Sequence, residues 1–106
     1  MSAVQTVEIR CISVDALTGE LSVVPDLPGG EDYEYIWRDA SGIRWDASRQ
    51  ALVAYEPSRW QPDALFRQIR AAVVGEYGQR LMVSADTLWA VSEPSVRERL
   101  EAVARE

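Results

Sequence analysis

The sequence predicts an α+β domain: an antiparallel sheet of about five strands with two helices packed on one face, in the order ββ-βββ-α-β-α. Three observations carry this. Short runs of alternating or apolar character rich in Val, Ile, Tyr and Trp recur between Val7 and Tyr55. From Leu65 to Tyr77 the apolar residues fall instead at helical spacing. Turn signals at Gly19, Asp39-Ala40-Ser41 and Asp46-Ala47-Ser48 separate the early runs. With 106 residues, 47% of them apolar, the chain builds one core, so residues 1–106 are read as a single α+β domain.

The first strand follows from Val7, Ile9 and Cys11 on one face and Glu8, Arg10 and Ile12 on the other, which points Cys11 into the core. Asp15 to Glu20 forms a turn with Gly19 at positive φ, and Leu21 to Val24 returns as the second strand of a hairpin. Pro25 to Asp32 carries two prolines and two glycines, Gly29 and Gly30, and reads as an exposed, mobile loop, with a recognition role as the alternative. The stretch Tyr33–Trp60 contains three of the four Trp and three of the four Tyr, and is read as the meander that supplies most aromatic packing and the functional face. In it Tyr33, Tyr35 and Trp37 share one strand face, Ile43 to Trp45 forms a short strand, and Ala51 to Tyr55 a central one. Pro62 and Asp63 start a helix with Leu65, Phe66, Ile69, Ala72, Val73 and Tyr77 as its inner stripe and Gly78 as its left-handed cap. Arg80 to Ala85 and Thr87 to Val91 read as one bulged strand or a tight hairpin, with the first preferred. Ser95 and Glu98 have capping-box spacing for a last helix whose seam is Val96, Leu100 and Val103.

The 17 acidic and 11 basic side chains leave a net charge of −6, the wrong sign for a nucleic-acid or anionic-membrane partner. All basic residues are Arg, with Lys absent and Ala abundant, the mark of a GC-rich bacterial coding sequence. One Cys excludes an internal disulfide, and without His the usual metal-ligand sets are missing, so neither a metal nor a cofactor is expected. No basic-then-apolar leader and no membrane-length apolar run is present, which gives a cytoplasmic expectation. Ser or Cys nucleophiles lack a His or Lys base, and Asp39 and Asp46 are explained by their turns, so an enzyme is the least supported class and no catalytic residue is assigned.

The cluster that stands out is acidic and aromatic: Tyr33, Glu34, Tyr35, Trp37, Trp45, Asp46, Tyr55 and Glu56. Such a set serves a protein partner when it is flat and an organic cation when it is concave, since ring faces beside a carboxylate attract cations. The Arg-Trp neighbours, Trp37-Arg38, Arg44-Trp45 and Arg59-Trp60, are expected on opposite faces of their strands. The function expected is a small acidic protein-binding accessory or immunity-like module, with a small cationic ligand as the alternative. Nine large rings in a chain of this size, together with two sheet edges, point to a homodimer.

Overall fold

The computed structural model describes residues 5–27, 32–38, 42–54 and 62–106. Its sheet is built on the longest strand, β1 (Gln5–Val14), which pairs antiparallel with β2 (Leu21–Pro25). Beyond β2 come β4 (Ala51–Ala54) and then β3 (Ile43–Asp46), each antiparallel to its neighbour. On its other edge β1 pairs with β5 (Gln79–Met82) and, farther along, with β6 (Leu88–Ala90), both parallel to it. The sheet is therefore six-stranded and mixed, mostly antiparallel, in the order β3-β4-β2-β1-β5 with β6 sharing the β1 edge. The α+β class expected from the sequence holds. The parallel strands arise because the pairings make β4 and β5 run in one direction, so helix α1 (Pro62–Tyr77) is a crossover between them, and a crossover joins parallel strands.

One face of this sheet carries the core. Ile9 and Ile12 of β1, Leu21 and Val23 of β2, and Leu52 of β4 meet Leu65, Phe66, Ile69 and Val73 of α1, the stripe read from the sequence. Full burial of a ring such as Phe66 contributes roughly 2 to 3 kcal/mol. Helix α2 (Pro94–Ala104) lies against α1 and adds Leu100, Val103 and Ala104. Gly78 ends α1 at φ +65°, and its N–H donates to the Val74 carbonyl at 2.9 Å. Gly19, at φ +78°, closes the β1–β2 turn on Asp15, as expected.

Three local expectations are corrected and one is met. A bulge between Ile9 and Cys11 inserts a residue into β1, so Ile12 takes the core side and Cys11 lies half-buried on the open face. Tyr33 to Arg38 is not a strand: the Ile36 and Arg38 N–H groups donate to the Tyr33 and Tyr35 carbonyls at 3.0 Å, and Ile36–Arg38 is a turn of 3₁₀ helix. Backbone groups satisfied by their own turn do not need a ladder, and the side-chain period becomes three. The capping box also fails, because α2 starts one residue early, on Pro94, with Glu93 as its N-cap; Ser95 is already inside the helix. The preference for one irregular strand over a hairpin holds: Leu88 follows Met82 along the same β1 edge, so residues 79–90 form one interrupted strand. From Glu8 to Cys11 β1 advances three residues while its partner side advances six, from Met82 to Leu88. The first Asp-Ala-Ser turn at 39–41, Tyr55, Glu56, the Arg59-Trp60 pair and Gly29-Gly30 of the loop expected at 25–32 lie outside the described residues. Among the described residues no helix is long and apolar enough to cross a membrane.

Candidate functional site

The 3₁₀ turn divides the expected aromatic cluster into two layers. Tyr33 and Ile36, three apart, point inward and are fully buried. The Tyr33 ring meets Trp45 of β3 edge to face at 5.5 Å and Tyr77 at the end of α1 at 4.9 Å, distances at which ring quadrupoles attract. Its hydroxyl donates to the Gln79 amide oxygen at 2.7 Å, so the buried polar end is satisfied. The Tyr77 hydroxyl accepts the Tyr35 N–H at 2.9 Å, and burial raises its pKa above the ordinary tyrosine value. These contacts seat the turn on the end of α1 and on β3.

Tyr35 and Trp37 form the outer layer, 46% and 61% exposed. Between them stands Arg38, its guanidinium carbon 4.5 Å from the Tyr35 ring centre and 5.7 Å from that of Trp37. This overturns the expectation that Trp37 and Arg38 point apart, because the 3₁₀ turn replaces strand alternation. Glu76 of α1 lies 3.8 Å from the same guanidinium. The surface thus presents a stack of ring, cation and ring with a carboxylate at its side, each component contributing on the order of 0.5 to 1 kcal/mol at this exposure.

The acidic members of the cluster are elsewhere. Glu34 is exposed, and its N–H donates to Asp32 Oδ1 at 3.2 Å in an Asx turn. Asp46 closes the β3–β4 turn: it accepts from the Ser48 hydroxyl at 2.7 Å and N–H at 3.1 Å, and from the Arg49 N–H at 3.2 Å and Nε at 2.9 Å. The Ser48 hydroxyl, then the Arg49 guanidinium, hold its carboxyl well below the usual range, at about 2. Gln50 completes the turn at φ 52°, its side chain donating to the Ala47 carbonyl. Tyr33, Trp45, Tyr35 and Trp37 are therefore brought into one neighbourhood, and Glu34 and Asp46 serve local turns. Arg38, Glu76, Tyr77 and Gln79 complete the neighbourhood without having been singled out for it. Tyr77 had a signal, its place on the helical stripe, and Arg38 its adjacency to Trp37; Glu76 and Gln79 depend on contacts between distant segments.

Concavities of about 500, 340 and 270 Å³ open near Cys11, Arg44 and Trp89, and the described residues lining them include neither Tyr35 nor Trp37.

A family model described as Integron Cassette Protein Hfx_Cass5 matches residues 8–87. A solved structure of an integron cassette protein, Hfx_Cass5, from the mobile metagenome of the North West Arm sewage outfall is 28% identical to this chain. That similarity covers 94% of this chain and 96% of the other, with a TM-score of 0.41. No curated protein matches. The family match spans the sheet from β1 to the start of β6 and includes α1, and the chain belongs to the Hfx_Cass5 family of integron cassette proteins.

Proposed function

We propose that this chain is a protein-binding accessory module that associates through the Tyr35–Trp37–Arg38 surface, with a second copy of itself as the partner. The exposure of both rings beside an ordered guanidinium is the observation that supports it. Tyr, Trp and Arg are the residue types that carry interface energy, because each buries a large rigid area and keeps a polar handle. Here the turn is already anchored through Tyr33 and Tyr77, so little ordering entropy is lost on docking. A surface carrying both Arg38 and Glu76 lets two copies related by a twofold axis set opposite charges against each other, and at physiological salt the mutual repulsion of two chains of charge −6 is largely screened beyond about 8 Å. The small-cation reading is less favoured, since Arg38 occupies the place on the rings that a ligand cation would take.

Light scattering at about 100 μM should report twice the chain mass of 11.9 kDa, and Trp37→Ala should weaken the dimer at least about 30-fold. A wild-type chain that scatters as a monomer, or a Trp37→Ala variant that dimerises as tightly, would sink the proposal.

A further inference from the structure

We infer that the open face of the sheet carries a second docking site, distinct from the Tyr35–Trp37 surface, for a basic extended segment of another protein that carries an apolar side chain. The site is the groove of about 500 Å³ over β1, β2 and the start of β6. Its floor is apolar, made by Val24, Cys11 and Leu88, and Leu88 is 68% exposed. Around that floor stand three carboxylates, Glu8, Asp26 and Asp86, against one cation, Arg10. Among the described residues none of these four charges has an ion-pair partner.

Two irregularities of the sheet meet at this groove and are bonded to each other. The β1 bulge turns Cys11 out of the core, and the detour between β5 and β6 brings out Asp86 and leads into Leu88. The buried Thr87 hydroxyl joins them, donating to the Ile9 carbonyl at 2.6 Å and accepting the Ser84 N–H at 2.9 Å. The Ser84 hydroxyl in turn donates to the Glu8 carboxylate and accepts the Asp86 N–H. A regular ladder would have buried Cys11. The bonded departure instead holds an apolar floor inside an acidic rim. Bulges and interrupted strands of this kind commonly re-aim side chains at binding sites. An extended segment places alternate residues on one side, so an apolar one can rest on Leu88 and Cys11 while Arg or Lys residues two positions before and after it face the same groove and reach the rim. An acidic segment would bring like charges together, which costs more than the apolar contact returns.

Cys11 is the only cysteine, so its labelling by neutral N-ethylmaleimide reads access to the floor. A capped pentapeptide with arginine at positions 1 and 5, leucine at position 3 and serine between them, at about four times its Kd, should slow labelling about fivefold. The protection should fall with added salt, and it should be lost in the Asp26→Asn, Asp86→Asn double variant and in Leu88→Ser, exposed positions whose change leaves the native melt in place. Trp37→Ala should keep it, which separates this site from the dimer surface. The inference is overturned if the peptide leaves the rate unchanged up to about 10 mM, far above the range of even weak specific binding. It is overturned equally if the same peptide with glutamate in place of both arginines protects as well, or if the double variant is protected like the wild type.

Discussion

At the β3–β4 turn a single carboxylate, Asp46, accepts four hydrogen bonds, and that commitment makes it a structural acid with a pH signature. Its pKa falls from 3.8 to about 2 on folding, chiefly through the Ser48 hydroxyl and the Arg49 guanidinium. A depressed carboxyl contributes stability that is present above its unfolded value and is lost as pH falls through the folded one. Asp46→Asn keeps an oxygen acceptor for the Ser48 N–H and loses the charge. Urea melts of the two proteins should therefore differ most above pH 3.8 and converge toward pH 2. A difference that stays constant across this range would mean that the turn does not depend on the ionised carboxylate. The same bonds explain why the sequence placed Asp46 both in a turn and in the acidic cluster while the structure leaves it the turn: the Asp-Ala-Ser wording states its local role, and the structure adds Arg49, through it Glu20, and Arg44 at 3.9 Å.

Among the elements, α1 was the most legible because every signal for it is local: Pro62 and Asp63 at the start, the apolar stripe, and Gly78 at the end. The end is testable. Gly78 sits at φ +65° with nothing within 4 Å of where a Cβ would be, so Gly78→Ala meets no clash and pays only for the left-handed backbone. The cost should be about 1 kcal/mol, a fall in Tm of roughly 4 to 8 °C, with Gly78→Asn milder. An unchanged melt would show that the chain ends α1 another way. The elements that were misread depend on distant partners. The face of Cys11 is set by a bulge whose freed Ile9 carbonyl is held by Thr87, 78 residues away. Tyr33 to Trp37 has strand composition, yet its backbone is satisfied within its own turn and its rings by Trp45 and Tyr77, so the cluster splits into an inner and an outer layer. The parallel direction of β5 had a signal, the succession of strand, helix and strand around α1, which composition-based reading of an antiparallel meander overlooked.

For the whole molecule the decisive joint is Arg70, a helix residue outside the apolar stripe that ties three elements together. From α1 its Nε donates to the Leu81 carbonyl of β5 at 3.2 Å, its Nη1 to the Val103 carbonyl of α2, and its Nη2 to the Glu106 main-chain oxygen at 3.3 Å. Burial, and then the nearby Arg80, lower its pKa, so the site holds a charge at some cost and offsets that cost with carbonyl acceptors. The contrast is Arg67, whose guanidinium makes a two-pronged contact with the Glu106 carboxylate at 2.9 and 2.5 Å, with both side chains about half exposed. An exposed pair of this kind contributes at most about 1 kcal/mol, because water screens the charges and both side chains must be ordered. Removing Arg70 takes a charge-assisted bond from the Leu81 carbonyl and leaves the Val103 carbonyl with the Glu106 N–H and the Glu106 oxygen with Arg80, a loss of about 2 to 4 kcal/mol in sum. Arg70→Ala should thus destabilise the domain several times more than Arg67→Ala. Arg70→Lys should restore little, since an ammonium cannot span acceptors set for a planar fork. Hydrogen exchange locates the effect: in Arg70→Ala the amides of α2 should exchange well before those of β1 and β2, while in Arg67→Ala the order of protection should stay as in the parent. Equal losses for the two alanine variants would show that α2 is held by Leu100 and Val103 alone and that the arginine joint is incidental.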